Sequence, residues 1–570
     1  MVKLIKIMKK QKKIYLVLLF LILFLASFLR FYNLPLLSLF GDEVDVGYHA
    51  YSLLQTGKDY MGQFLPSYIH SLAEWRAPLL MYASIPSILI FGLTEWGVRA
   101  TPALFGILSI FLVFLLVRII FKDNRWALLS ALLLAINPWH LHYSRAAFEV
   151  TLLLSLFLAG VYFFIKGIKN NWYFLPSAIV FALTLYTYST ANVFLILLGL
   201  SLIIIYRKEL FSIIKRKQIW ISLVVFVLIL IPIFGQLFSG KAGERFGLIS
   251  VFSDQKTIEE IHLLRLGGTF YGDAKVGLLE KVFINRPVYW SLNITKNYLS
   301  SFSPNFLFSS GDSYFRHSIN RVGQFYIIEF LFILLGLFAL FKIKGKEKWL
   351  IISWLLLAPI PSALTKDGGN HATRLFLMIP PLVILSALGL SKIIDWTKKV
   401  KATKLVLLLV SVLLAFNFSF YLFNYFKYYP RESWPYWHYG YKQAIGAVVK
   451  YQNDYDLILI NNSYEPALLR YLFWSKYPPQ VFHQLFKGDE VREDILPGFN
   501  GFKLENIYFV SPKGESWWDN LDTNTLYLAS VKNDIAGDWD WQKTPPRGIK
   551  VLETIDDPLG DHIFYLITHE

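Results

Sequence analysis

Apolar runs of about 20 residues, each long enough to cross a hydrocarbon core of about 30 Å, recur along the first three quarters of this 570-residue chain. A chain patterned in this way folds as a polytopic α-helical membrane protein. Composition agrees: 55% of the residues are hydrophobic, 17% are charged and the mean hydropathy is +0.45. That is too apolar for the series of soluble domains, about 150 residues each, that the length alone suggests. The absence of cysteine excludes disulfides, Cys-ligated zinc, iron–sulfur clusters and thiol nucleophiles.

The net charge of +16 is unevenly placed. Residues 1–425 carry 42 Lys and Arg against 20 Asp and Glu, whereas residues 426–570 carry 14 against 20. Within the apolar part, 25 basic and four acidic residues fall in six segments: the N-terminal tail, 118–125, 166–169, 207–217, 342–348 and 392–404. This distribution speaks against a nucleic-acid partner. Cationic loops stay cytoplasmic, so these segments mark the inner side of a cell membrane. The expected crossings are 14–32, 98–117, 126–142, 147–165, 172–189, 191–206, 219–238, 323–341, 349–364, 375–391 and 405–425. Eleven crossings put the N-terminus inside and the C-terminal segment outside. Counting 78–93 as a further span would place the basic 118–125 loop outside, so this two-proline segment is expected to be a helix lying in the interface. The first span has a long apolar stretch and no small-residue cleavage site, so it is expected to be a permanent anchor.

Two parts follow from this path. Residues 1–425 form the membrane domain, with outer loops 33–97 and 239–322, and residues 426–570 form an extracytoplasmic α/β domain. In the latter, helical patterns at 441–452 and 464–475 flank the strand-like DLILI (456–460), and strand-like segments follow at 507–510, 525–530, 550–555 and 562–567. The aromatic run 433–441 (SWPYWHYGY) is expected to join an interfacial aromatic belt. The KGDEVRED run (487–494) is expected to be a solvated surface.

Chemistry is concentrated on the outer side. Asp42 and Glu43 follow the first span, with Asp45, Tyr48 and His49 close behind. A carboxylate beside a membrane is partly desolvated, which raises its basicity and suits it to accept a proton from an alcohol. Acids at a helix start also serve as caps, and local sequence leaves both roles open. Arg76 (EWRAP), Arg145 (NPWHLHYSR), and His371 and Arg374 (KDGGNHATR) fall on the same expected side. Arginines at a boundary can snorkel to headgroups. A carboxylate facing several cations across one leaflet is also what transfer from a phosphate-linked donor needs.

The order of these motifs resembles the GT-C membrane glycosyltransferases, and within them family 39, which includes protein O-mannosyltransferases and lipid A aminoarabinose transferases. The likeness covers about residues 14–425. It implies a sugar donor on polyprenyl phosphate, inverting transfer at the outer face, and a lipid, glycan or protein acceptor. By this resemblance Asp42 is the general base, Glu43 its companion, and Arg76, Arg145, His371 and Arg374 hold the donor phosphate. Arg76 stands where relatives have a lysine before two prolines; here Ala77 and Pro78 follow it. Tyr48, His49, Arg245 and Arg316 are expected acceptor or sugar contacts, or else loop salt bridges and wet-interface polar groups.

Asp42, Glu43 and Asp45 could offer oxygen ligands to a divalent ion, but a solvated turn is the commoner use of such a cluster, and no obligatory metal is expected. His140 and His142, two apart, point to different faces of a helix. Soluble nucleotide-sugar motifs are not found. The competing function is a transporter or flippase of lipid-linked precursors, which would bind near the bilayer midplane. A non-catalytic assembly protein is the third reading. The spans hold almost no charge, Glu329 being an exception, and the two halves show no evident symmetry in hydropathy.

Overall fold

The computed structural model describes residues 2–72, 74–238, 247–265, 278–399, 401–514 and 516–570, so Arg245 lies outside the described residues. The chain divides into two compact units. One comprises Met1–Tyr32, Glu74–Leu79 and Pro102–Asn424; the other comprises Asn33–Ala73, Leu80–Thr101 and Tyr425–Glu570.

Among the described residues, six helices are long and apolar enough to cross a membrane: Lys13–Leu36, Glu95–Phe121, Glu149–Gly167, Lys217–Gly235, Phe376–Lys399 and Thr403–Glu432. A seventh arises if Thr190–Ile205 and Arg207–Ile213, bent by 80° at their junction, form one span. Other segments expected to cross are helical but shorter or interrupted. The 126–142 segment is two helices, Asn124–Ile136 and Pro138–Tyr143. They break at Asn137, whose side chain caps the second by accepting from the His140 N–H at 2.9 Å. The 323–341 segment begins at Ile327, because Glu329 accepts from the Tyr326 N–H (3.1 Å) and the Ser386 hydroxyl (3.0 Å). Glu329 is thus part of a helix cap. The 78–93 segment is a 13-residue helix, Leu79–Phe91.

Small residues set the closest helix packing in the first unit. Helices Ile327–Lys342 and Ile379–Lys399 touch backbone to backbone. A Cβ on Gly336 would stand 1.8 Å from the Leu385 carbonyl oxygen, and one on Gly389 would stand 1.9 Å from that of Phe332. Without hydrophobic driving force between helices in lipid, such approach is how dispersion and weak polar contacts accumulate.

The second unit contains a seven-stranded sheet: β1 Leu457–Asn461, β2 Arg492–Leu496, β3 Phe499–Leu504, β4 Ile507–Pro512, β5 Thr525–Ser530, β6 Ile549–Asp556 and β7 His562–His569. The strand order is β2-β3-β4-β1-β5-β7-β6. β1 pairs in parallel with β4 and β5. Its continuous apolar run suits a strand covered on both faces. Tyr441, Ala444, Ile445 and Val448 form the buried stripe of the helix Tyr441–Tyr451. An aromatic core of Trp517, Tyr527, Trp541 and Tyr565 fills one side of the sheet. Residues 487–494 are exposed, as expected of a solvated surface, and from Arg492 the run continues into the hairpin β2–β3. Its first strand takes exposed, charged residues from 492 onward, so it lies at the sheet edge with no apolar alternation to announce it.

Candidate active site

The helix Gly41–Thr56 begins with Asp42 and Glu43 in its first turn and ends on Gly57, whose φ of 70° and N–H bond to the Leu53 carbonyl close it in a left-handed cap. The two acids have different surroundings. Glu43 is fully buried and accepts from Arg99 at both oxygens, from Nε at 2.8 Å and from Nη2 at 2.6 Å. Arg99 donates further to the carbonyls of Leu34 (3.1 Å), Leu37 (2.7 Å) and Ser38 (2.8 Å). One buried guanidinium thereby binds the end of the preceding loop to the start of the acidic helix. Asp42 is exposed.

The aromatic run 433–441 supports the same turn within this unit. Trp437 is buried, edge-on to Phe40 at 5.4 Å and under the Arg99 guanidinium at 5.6 Å. His438, held at φ 48°, accepts the Gly41 N–H at 3.2 Å and faces Arg470 Nη2 at 2.5 Å. Since arginine only donates, the His438 Nδ1 is the unprotonated nitrogen. Trp437 and His438 thus pack against the residues that start the acidic helix. Tyr48 is buried and donates to the Tyr477 carbonyl at 2.9 Å. His49 is buried and stacked on Tyr60 at 3.8 Å, while the Tyr60 hydroxyl donates to Asp45 at 2.8 Å. Glu43 and Asp45 thus have separate partners. Among the described residues, no three metal-ligating side chains are grouped.

The cationic residues lie in the other unit, and three stretches of it meet in one cluster. Asp312 is buried and accepts the N–H groups of Ala372 and Tyr314, each at 2.9 Å. Its carboxyl is pushed up by burial and drawn back by these bonds and by Arg374. The Ala372 contact docks the HATR segment onto the 312–317 loop. Tyr143 then joins both: its hydroxyl lies 2.8 Å from Thr373 Oγ1 and 3.0 Å from His317 Nδ1. The His317 ring lies 5.1 Å from that of His371. Burial first, then His371, Arg316, His142 and Arg374, holds His317 well below the ordinary imidazole range, so it is neutral at pH 7. Arg316 packs its guanidinium 5.5 Å from the Tyr314 ring centre, and its carbonyl lies 2.8 Å from His142 Nε2. Arg374 donates to Thr365 Oγ1 (2.7 Å) and the Lys366 carbonyl (3.0 Å). The guanidinium groups of Arg316 and Arg374, with the imidazoles of His317 and His371, can offer hydrogen bonds to an anionic oxygen group.

Of the remaining expected residues, Arg76 is buried and paired with Glu74 at 3.1 Å. Arg145 donates to the carbonyls of Leu29 (2.7 Å), Arg30 (3.2 Å) and Tyr32 (2.8 Å), and so caps the end of the first helix. His140 and His142 diverge. His140 sits between Arg30 Nη2 and Ser109 Oγ, each at 2.7 Å. Sequence reasoning passed over Arg99, His317 and Asp312. Arg99 offered one signal, a lone cation one turn inside an apolar helix; His317 stands beside Arg316, which was noticed.

Residues 76–234 match the family model described as dolichyl-phosphate-mannose-protein mannosyltransferase. The resemblance to the GT-C membrane glycosyltransferases is borne out. The matched stretch holds Arg76, Arg145 and the NPWHLHYSR motif, and it is less than half of the chain. No curated protein matches the chain. Among solved structures, the chain is similar to the archaeal oligosaccharyltransferase AglB from Archaeoglobus fulgidus in complex with an inhibitory peptide and a dolichol-phosphate. The identity is 14% and the TM-score 0.45, over 82% of this chain and 64% of that one. A second Archaeoglobus fulgidus oligosaccharyltransferase structure, with Zn and sulfate, is covered over 61% of its length at 14% identity and a TM-score of 0.47. ArnT from Cupriavidus metallidurans bound to undecaprenyl phosphate shares 12% identity, over 98% of both chains, with a TM-score of 0.47. The chain therefore spans less than two thirds of the oligosaccharyltransferase chains, and all three likenesses are distant.

Proposed function

We propose that this protein is an integral membrane glycosyltransferase that takes a sugar from a polyprenyl-phosphate donor and places it, with inversion, on a lipid, glycan or protein outside the cytoplasm. Residues 1–425 cross the membrane eleven times in this reading, and residues 426–570 form an extracytoplasmic domain. The observation that carries the reading is the match over residues 76–234 to a family named for a polyprenyl-type phosphate mannose donor. The side chains support it chemically. With Glu43 committed to Arg99, Asp42 is the acid of that pair exposed to an incoming hydroxyl. Asp42 takes the acceptor proton as the acceptor oxygen attacks the anomeric carbon, and the bond to the donor phosphate breaks. A phosphate leaves as an anion, so it needs hydrogen-bond donors rather than a strong general acid. Arg76, Arg145, His371 and Arg374 supply them in this proposal, with Arg316 and His317 beside the last two.

The test is mass spectrometry of lipids and envelope glycans from cells with and without the protein. A glycan that disappears with the gene and returns with it supports the transferase. Purified protein in vesicles that moves a lipid-linked sugar across the bilayer, and forms no glycosidic bond with any acceptor, overturns it in favour of a flippase.

A further inference from the structure

One recess in the unit that comprises Met1–Tyr32, Glu74–Leu79 and Pro102–Asn424 carries none of the roles above. It is a polar cavity of about 350 Å³, within the range of about 300–1,000 Å³ typical of small-molecule pockets. Its walls come from three stretches: the turn at 251–254, the helix Arg286–Ser300 and the loop 366–370.

The frame is held by specific bonds. The Val251 N–H reaches the Leu364 carbonyl at 3.1 Å, and the Lys366 N–H reaches that of Ile249 at 2.8 Å. Asn297 Nδ2 ties the helix to the carbonyls of Ala363 (3.3 Å) and Thr365 (2.9 Å). Asn293 Nδ2 reaches Thr257 Oγ1 at 3.0 Å, and the Thr257 hydroxyl donates to Asp254 at 2.7 Å. The loop lies directly on its supports. A Cβ on Gly369 would stand 2.9 Å from that of Ser300, and one on Gly368 would stand 1.9 Å from the Ser362 carbonyl oxygen. Two consecutive glycines are what let this wall form.

The lining decides the ligand class. Lys296 and Lys366 bring ammonium donors, Asp254 and Asp367 bring carboxylate acceptors, and Asn293 brings an amide with one N–H already on Thr257; the Asn370 amide nitrogen donates to the Gly369 (3.0 Å) and Ser300 (2.8 Å) carbonyls, which leaves its oxygen as an acceptor. Two ammonium groups and two carboxylates leave no net charge to favour an ion of either sign, and an apolar group would strand these polar side chains. A neutral polyhydroxyl compound satisfies donors and acceptors together. The loop that walls the cavity also receives Arg374, through Thr365 and the Lys366 carbonyl, and runs directly into His371. We infer that this cavity binds a neutral saccharide unit of the acceptor, beside the segment assigned to the donor phosphate; as an acceptor subsite it rests on the glycosyltransferase reading.

The test uses the purified full-length protein in detergent, with methyl glycosides of mannose, glucose and galactose as probes and inorganic phosphate as the control. Binding is read by saturation-transfer NMR. Lys296→Met and Asn370→Ala alter exposed positions, and equal melting temperatures confirm their folding. The expected result is saturable binding of at least one glycoside, weakened about tenfold in each variant, as the loss of one strong hydrogen bond dictates. Asp42→Asn binds the glycoside as the wild type does. Wild-type protein that binds no glycoside, variants that bind as well as the wild type, or phosphate binding in place of glycoside binding each overturn the assignment. Glycoside binding that depends on Lys296 in a protein that transfers no sugar leaves the saccharide site standing and removes the transferase reading alone.

Discussion

Arg99 gives the sharpest stability prediction. Replacing it with methionine removes two charge-assisted bonds to Glu43 and three bonds to the carbonyls of Leu34, Leu37 and Ser38. Glu43 is left buried with no counter-ion from Arg99, and breaking one side of such a pair costs about 3–5 kcal/mol. Glu43→Gln keeps an amide oxygen for Arg99 and leaves the guanidinium its three carbonyls, so its cost is smaller, about 2–3 kcal/mol. The double variant buries no ion. Its loss falls short of the sum of the two single losses by about 1–3 kcal/mol. In a unit of about 200 residues each kcal/mol moves the midpoint by about 2–4 °C, so Arg99→Met melts about 6–20 °C below wild type. The assay is thermal unfolding of the four purified full-length proteins in one detergent. Midpoints of the single variants within about 1 °C of wild type, or strictly additive losses, would refute the claim that this pair fixes the acidic turn.

Two further outcomes follow from the same geometry. His438→Ala removes the acceptor of the Gly41 N–H, so transfer is expected to fall about tenfold through kcat while KM for donor holds, and His438→Asn is expected to restore part of it. Steady-state kinetics of the two variants check this. His317 titrates well below 6.5 when folded and near 6.5 when unfolded, so below that pH the unfolded chain binds the extra proton and stability falls on acidification. His317→Gln is expected to flatten the melting-temperature profile between about pH 6.5 and 5, and an unchanged profile would contradict the burial of this imidazole.

The helical membrane part and the mixed tail were legible because both obey simple periodicities. Long apolar runs announce spanning helices, and the continuous apolar DLILI announces β1. Breaks within those runs were not legible at Asn137, since Asn-Pro reads as a turn only when the apolar count does not override it. The edge hairpin was hidden for the opposite reason, a charged strand with no buried face. Around the acids, pattern located Asp42 and Glu43, but their division of labour depends on Arg99, more than fifty residues away in sequence. The 312–317 loop and the HATR segment meet through the Asp312–Ala372 bond, a long-range contact that no local spacing encodes.

The most direct test of the central claim is the rate of sugar transfer by purified Asp42→Asn protein supplied with a polyprenyl-phosphate sugar and the acceptor identified from cells. Loss of the base is expected to slow the reaction by about 10²–10⁴-fold with melting and donor binding unchanged. Transfer at the wild-type rate would contradict the account.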